Sequence, residues 1–270
     1  MLRRALSILI ATLLFGCATS PTGRSQLMLV SPDQAIVASR QAYLTQMSEL
    51  DKQGKLASDP ALLAWVEDVT ERLVAQAVAM RPDTRNWEWS VAVIDDPENV
   101  NAWCMAGGRM AIYTGLIRKV DPTEDELAQV MAHEIAHALA NHTAEKMSVA
   151  MASQAGILAA AIASDRPGAA VAGAALAAQL AIELPNSRTA ESEADQIGIE
   201  LAARAGFDPN AAVTLWQKMG RVGGASPPQF LSTHPAPQNR EQTLRTLAPR
   251  LMPVYRSATN PPKHPVKIVS

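Results

Sequence analysis

The hydrophobic positions along the chain predict helices over most of its length and one small sheet. Ser-Pro at 31–32 and Asp-Pro at 59–60 are typical helix starts, and apolar residues follow both at helical spacing. The apolar residues of 87–94 alternate instead, which predicts a half-buried strand. Residues 101–113 read as two short strands joined at a pair of glycines. These patterns together predict an α+β fold that is mostly helical.

A long helix is predicted from Thr123, which can cap it together with Glu126. Its apolar stripe runs through residues 127–139, and further helices are predicted within residues 186–252. The Ala- and Gly-rich residues 149–184 are too weakly hydrophobic, and each half is too short, for a clear membrane span. A buried helical hairpin is therefore favoured there over a membrane-facing surface.

The N-terminus has the features of a targeting segment. Arg3 and Arg4 precede a short apolar run that ends in Leu-Phe-Gly-Cys at 14–17. This ending resembles a bacterial lipobox, which implies cleavage before Cys17, lipidation of Cys17 and anchoring to a membrane. Ala18 resembles the sorting signal for the periplasmic side of the outer membrane. The alternative is a plain secretory signal with an incidental cysteine.

Four parts of the chain follow from these patterns: a signal peptide over 1–16, a flexible lipidated tether over 17–30, one folded domain over 31–252 and a disordered tail over 253–270. The 24 basic and 26 acidic residues form no basic block, so nucleic acid is not expected as a partner. Cys104 has no second cysteine to pair with if Cys17 is acylated, so no internal disulfide is expected.

The sequence His-Glu-Ile-Ala-His at 133–137 lies inside the long predicted helix. Residues four apart share one helix face, so His133 and His137 can both bind a single zinc ion. Glu134 lies beside them and can take a proton from a metal-bound water and pass it to a leaving amine. The pattern predicts a zinc-dependent peptidase site.

A catalytic zinc needs a third protein ligand and one open position. His142 is near in sequence but falls on another helix face, and the downstream helix offers Glu191 and Asp195, which share a face. One of these two carboxylates can bind zinc while the other accepts a hydrogen bond from a ligand histidine. The alternative is a solvated acidic helix face.

Four motifs give the chain a specific resemblance. They are His-Glu-Ile-Ala-His at 133–137, Glu-Ser-Glu-Ala-Asp at 191–195, Asn101 and Ala102 with Gly107 and Gly108, and Ser-Thr-His-Pro at 232–235. In order and spacing they are similar to metallopeptidase family forty-eight, which includes the HtpX-like, Oma-type and CAAX prenyl protease branches. The resemblance is strongest to its exported BepA-like and LoiP-like lipoprotein proteases.

The resemblance implies a zincin-like (gluzincin) fold with an active-site helix, and one zinc ion per chain. It implies that Glu191 is the third zinc ligand, that Asp195 contacts a ligand histidine, and that Arg188 lies beside them. It also implies that the strand starting at Asn101 and Ala102, with the turn at 107–108, binds the substrate as an added strand. The alternative is a hairpin that only packs the core, and Cys104 within it is favoured as a packing residue over a nucleophile.

His234 lies in a proline-bounded loop far along the chain from the zinc helix. Two roles near zinc are open: stabilising the oxyanion of the tetrahedral intermediate, or occupying the open zinc position at rest. A plain loop histidine is the third possibility.

Three classes of function remain from the sequence. The favoured one is a zinc endopeptidase of the bacterial cell envelope that degrades unfolded or misassembled envelope proteins, with possible outer-membrane assembly partners. The second is a zinc-bound chaperone or assembly factor with little proteolysis. The third, a non-enzymatic lipoprotein, is disfavoured because a structural zinc needs no base such as Glu134.

Overall fold

The computed structural model of the protein describes residues 17–163, 185–222, 228–236 and 239–270. The strands are β1 (Cys17–Thr19), β2 (Ser25–Leu27), β3 (Ser90–Ile94), β4 (Ala102–Met105), β5 (Arg109–Tyr113) and β6 (Lys267–Val269). The helices are α1 (Pro32–Lys52), α2 (Pro60–Met80), α3 (Thr114–Val120), α4 (Glu124–Leu139), α5 (His142–Ala163), α6 (Arg188–Arg204), α7 (Ala211–Arg221), α8 (Gln229–Thr233) and α9 (Arg240–Ser257). The predicted fold class, α+β and mostly helical, is confirmed.

The described residues form two compact units, one that includes residues 17–35 and 141–163 and another that includes residues 36–140, 185–222, 228–236 and 239–270. The predicted signal peptide over 1–16, and residues 164–184 of the predicted helical hairpin, lie outside the described residues. Within the described ranges, no helix is both long and apolar enough to cross a bilayer.

In the first unit, residues 17–27 form an antiparallel hairpin of β1 and β2 rather than a flexible tether. The guanidinium of Arg24 donates two hydrogen bonds of 2.6 Å to the carboxylate of Glu145 in α5. Gln26 donates a third hydrogen bond to Glu145 at 2.9 Å. The prediction of a flexible tether is therefore wrong here, because the polar residues that suggested a linker bind one another and α5.

The second unit contains a four-stranded sheet in the order β4-β5-β3-β6. β3 pairs in parallel with β5 and β6, while β4 pairs antiparallel with β5. All five residues of β3 are buried, because Val91 and Val93 pack in one hydrophobic cluster and Ala92 and Ile94 in another. The prediction of a half-buried strand from Trp87 is thus corrected: the strand is central, covered on both faces, and starts at Ser90.

The C-terminal residues also differ from the disordered tail predicted over 253–270. α9 continues to Ser257, and β6 pairs with β3 through contacts such as Lys267 N–H donating to the carbonyl of Trp89 at 3.0 Å. Main-chain pairing needs little side-chain hydrophobicity, so the polar composition of this segment did not reveal the strand.

The predicted hairpin of β4 and β5 is confirmed, and its turn explains the paired glycines. Gly107 and Gly108 have φ angles of 87° and 82°, a region that favours glycine. A Cβ at Gly108 would lie 2.5 Å from the ring of Trp89. β4 stands at one end of the strand order, so it is an edge strand of the described sheet, and α4 packs against it.

Helix α4 begins as the sequence predicts. Thr123 accepts a hydrogen bond from Glu126 N–H, and the Glu126 carboxylate accepts one from Thr123 N–H, which completes a capping box. α4 packs most extensively against α6, where a Cβ at Gly198 would lie 3.0 Å from the backbone of His133. The close approach of these two helices positions the groups of the candidate site.

Candidate metal centre

The two histidines of α4 lie one turn apart and point the same way. Their Nε2 atoms are 3.1 Å apart, and both side chains are buried. This placement follows from the helical repeat, as the sequence predicted.

Helix α6 brings two carboxylates to the same place. Glu191 Oε2 lies 3.3 Å from Nε2 of His133, and Glu191 Oε1 lies 3.3 Å from Nε2 of His137. Asp195, one turn further along, places Oδ1 3.1 Å from Nδ1 of His133. Glu191 therefore faces the metal-binding edges of both rings, while Asp195 meets the opposite edge of one ring, as the resemblance implied.

His234, at the end of α8, joins the same group. Its Nδ1 lies 3.1 Å from Glu191 Oε1 and 3.3 Å from Nε2 of His133. Its ring stacks on Phe230 with centroids 4.5 Å apart, and it is buried. The possibility of a loop histidine remote from the centre is thus wrong.

His133, His137, Glu191 and His234 each offer a ligand atom, and these atoms lie within 4.8 Å of one another. The group does not include His142. Three imidazole nitrogens and one carboxylate are the donor types that zinc prefers, and four is its usual coordination number. Buried nitrogen and carboxylate groups that converge at such distances can share one cation, so the residues present fit a zinc ion.

The electrostatics of the group favour positive charge. Burial lowers the pKa of the His133 imidazole, but hydrogen bonds to Asp195 and Glu191 outweigh burial and raise that pKa to about 10. Burial raises the pKa of Glu191, yet hydrogen bonds from three histidines hold it well below its usual range. The raised pKa of His133 and the lowered pKa of Glu191 both indicate that the carboxylates stabilise positive charge at this site.

Glu134 lies on the adjoining face of α4, buried, with Oε1 3.4 Å from Nε2 of His234. Cys104 of β4 is nearby: burial raises the pKa of its thiol well above the usual range, and the negative charge of Glu134 raises it further. A thiol held protonated is a poor nucleophile, which supports the packing role predicted for Cys104.

One arginine of the site was missed by the sequence analysis. Arg240 contacts both Glu191 and Asp195 with its guanidinium. It arrives from α9 by a tertiary contact that no spacing along the chain encodes. Arg188, which the family resemblance places beside the ligands, is exposed at the first position of α6, and its role stays a prediction.

A buried His-Glu-x-x-His helix, joined by a glutamate from a second helix and flanked by a small sheet, is the arrangement typical of zincin-like metallopeptidases. The sequence profile of peptidase family M48 matches residues 60–248, which is more than half of the chain. The chain belongs to this family, and the metal of the family is zinc.

Several named relatives are similar to this chain. The mitochondrial metalloendopeptidase OMA1 of Schizosaccharomyces pombe is 35% identical over 212 residues, covering 77% of this chain and 59% of that protein. The OMA1 metalloendopeptidase of Bos taurus is 31% identical over 252 residues, covering 89% and 47%. The beta-barrel assembly-enhancing protease of Escherichia coli is 31% identical over 215 residues, covering 76% and 43%. The chain thus spans about half the length of these relatives.

Proposed function

We propose that the protein is a zinc endopeptidase of the bacterial cell envelope that hydrolyses unfolded or misassembled envelope proteins. The observation that carries the proposal is the convergence of His133, His137 and Glu191 beside the buried carboxylate of Glu134. These three residues are the proposed zinc ligands. A purely structural metal site has no use for a buried carboxylate placed next to it, whereas hydrolysis needs a base there.

Zinc, Glu134 and Asp195 are proposed to have different roles in hydrolysis. Zinc, when bound, supplies the Lewis acidity that activates water. Glu134 takes the proton of the attacking water on a carboxylate oxygen and later gives it to the leaving amine. Asp195 holds Nδ1 of His133, which leaves Nε2 free to donate its lone pair.

Substrate binding is proposed for the edge strand β4, which begins at Ala102, and for Asn101 directly before it. An extended peptide can add to an edge strand through main-chain hydrogen bonds, which suits substrates of varied sequence. Gly107 and Gly108, at the turn that follows this strand, are proposed to bind the substrate together with it, and the ring of Trp89 packs beside Gly108.

The envelope location has two supports. The lipobox-like sequence before Cys17 predicts a lipid anchor on the periplasmic side of the outer membrane. Bacterial relatives named beta-barrel assembly-enhancing protease are also 31% to 33% identical to this chain. The proposed substrates are therefore unfolded envelope proteins, with outer-membrane assembly factors as possible partners.

The test is Glu134→Gln, compared with Glu200→Gln, a partly exposed glutamate on α6. Glutamine keeps the shape of Glu134 but cannot accept the proton, so zinc content is expected to stay at one per chain while casein hydrolysis falls by roughly a hundredfold or more. Glu200→Gln is expected to keep both. Hydrolysis near the wild-type rate in Glu134→Gln would remove Glu134 from the role of base. Wild-type protein that binds zinc but cleaves no unfolded substrate would refute the peptidase itself.

A further inference from the structure

The guanidinium of Arg240 is buried between the two carboxylates of α6. Its Nε donates to Asp195 Oδ2 at 2.7 Å, and its Nη2 donates to Glu191 Oε2 at 2.7 Å. The side chain is only 4% exposed. One planar group thus bonds to a proposed zinc ligand and also to the residue that holds another ligand, His133.

Charge explains why a cation is needed at this position. Glu191 and Asp195 lie one turn apart on α6, and both are buried, so their negative charges repel each other where water screens little. A guanidinium placed between them offsets that repulsion and fixes both carboxylates by direction, because its donors form a rigid fork. A lysine ammonium is a single point charge and cannot bond to both in this way.

An aromatic ring packs against the guanidinium plane of Arg240. The guanidinium carbon of Arg240 lies 3.8 Å from the ring centroid of Trp216 in α7. The same ring meets His133 edge-on, with centroids 5.8 Å apart. Trp216 therefore packs against both Arg240 and His133, the histidine that Asp195 orients. The side chains in contact here come from four helices, α4, α6, α7 and α9.

From these contacts we infer that Arg240 is a positioning residue of the metal centre: it sets the geometry of Glu191 and, through Asp195, of His133. Its contribution is to the retention of zinc, since misplaced ligands release a metal faster. This inference rests on the proposed zinc site and adds a residue to it.

The chain offers a matched control in Arg72 of α2. Its guanidinium also lies over an aromatic ring, Phe207, at 3.9 Å, and it donates to the carbonyls of Ala205 and Gly206. It makes no contact with the ligand group among the described residues. Removing Arg72 therefore tests what the loss of a stacked, hydrogen-bonded arginine does to the fold alone.

The experiment measures the rate of zinc release to a chromogenic chelator from zinc-loaded wild type, Arg240→Ala, Arg240→Lys and Arg72→Ala, with thermal unfolding of each metal-free protein. Release from Arg240→Ala is expected to be faster by about tenfold to a hundredfold, the usual effect of losing a group that holds a metal ligand. The rate of zinc release from Arg240→Lys is expected to lie between those of wild type and Arg240→Ala. Arg72→Ala is expected to release zinc at the wild-type rate, even if its unfolding temperature is lower. Guanidinium chloride at low concentration is expected to slow zinc release from Arg240→Ala but not from the other proteins. Sodium chloride at the same concentration is the control and is expected to have no such effect.

Equal release rates from Arg240→Ala and wild type would overturn the inference. It would also be overturned if Arg72→Ala released zinc as fast as Arg240→Ala and guanidinium rescued neither, since the effect would then be one of general stability. If Arg240→Ala does not fold, Arg240→Lys decides, and release at the wild-type rate refutes the role. Wild-type protein that holds no zinc would instead refute the proposed metal site, which keeps the two failures distinct.

Discussion

At the scale of single residues, the geometry says most about the role of His234. Its Nδ1 approaches Glu191 and His133 at 3.1 and 3.3 Å, which places a nitrogen lone pair among the ligand atoms. Its Nε2 is turned toward Glu134, at 3.4 Å. A histidine in this position can complete the coordination of zinc and thereby occupy the position that a catalytic water requires.

His234→Ala is therefore expected to raise basal hydrolysis of casein with zinc content unchanged. The rise is about tenfold if the closed state is favoured by ~1.4 kcal/mol, because only the open fraction is active. His264→Ala, in the C-terminal segment, is the control and is expected to change neither quantity. A fall in turnover of roughly a hundredfold would instead assign His234 to oxyanion stabilisation.

At the scale of secondary structure, the site depends on how closely α6 approaches α4. The position of Gly198 allows this approach, because a Cβ there would lie 3.0 Å from both Cα and N of His133. These are backbone atoms of a buried helix, so they cannot move aside as a flexible side chain can. The glycine therefore links helix packing to the positions of Asp195, about one turn earlier on α6, and Glu191, two turns earlier.

Gly198→Ala is expected to destabilise the fold by about 1–3 kcal/mol, the usual cost of overpacking, and to weaken zinc binding as α6 shifts. Gly220→Ala is the matched control near the end of α7, since among the described residues no atom outside its own helix backbone and chain neighbours lies within 4 Å of its added Cβ. That change is expected to be neutral or to stabilise by about 0.5–1 kcal/mol, because alanine restricts the unfolded chain. Denaturant unfolding and zinc titration of both variants give the comparison. Equal effects of the two substitutions would contradict the role given to Gly198.

At the scale of the whole molecule, residues 17–30 belong to a folded unit and are not a loose linker. The two hydrogen bonds from the Arg24 guanidinium to the Glu145 carboxylate join the β1-β2 hairpin to α5. Val30 N–H also donates to Ser148 Oγ of the same helix at 2.9 Å. The proposed lipid site, Cys17, is the first residue of that hairpin. An anchor there would join the membrane to a structured unit.

Cys17→Ser is expected to abolish incorporation of labelled fatty acid and to move the protein from the membrane fraction to the soluble fraction, because a serine hydroxyl cannot take the thioether-linked lipid. Cys104→Ala, which removes the buried cysteine, is expected to keep both the label and the membrane location. Persistent labelling of Cys17→Ser would refute the lipobox interpretation and leave a plain secretory signal.

The sequence by itself determined the parts of the protein that depend on local spacing. The pair of histidines four apart, the capping box at Thr123 and Glu126, and the glycine turn between β4 and β5 are each set by residues close in the chain. For the same reason, Glu191 and Asp195 were correctly placed on one face of a helix. Periodicity and capping act over one or two turns, so one sequence is enough to find them.

Only the tertiary structure decided which distant segments meet. It brought Arg240 and His234 to the ligand group, and it placed residues 267–269 as the strand beside β3. These contacts join residues tens to more than a hundred positions apart, and their energy comes from burial and charge pairing across the fold. No repeat or spacing along the chain records such contacts, because they exist only after the helices and the sheet have packed together.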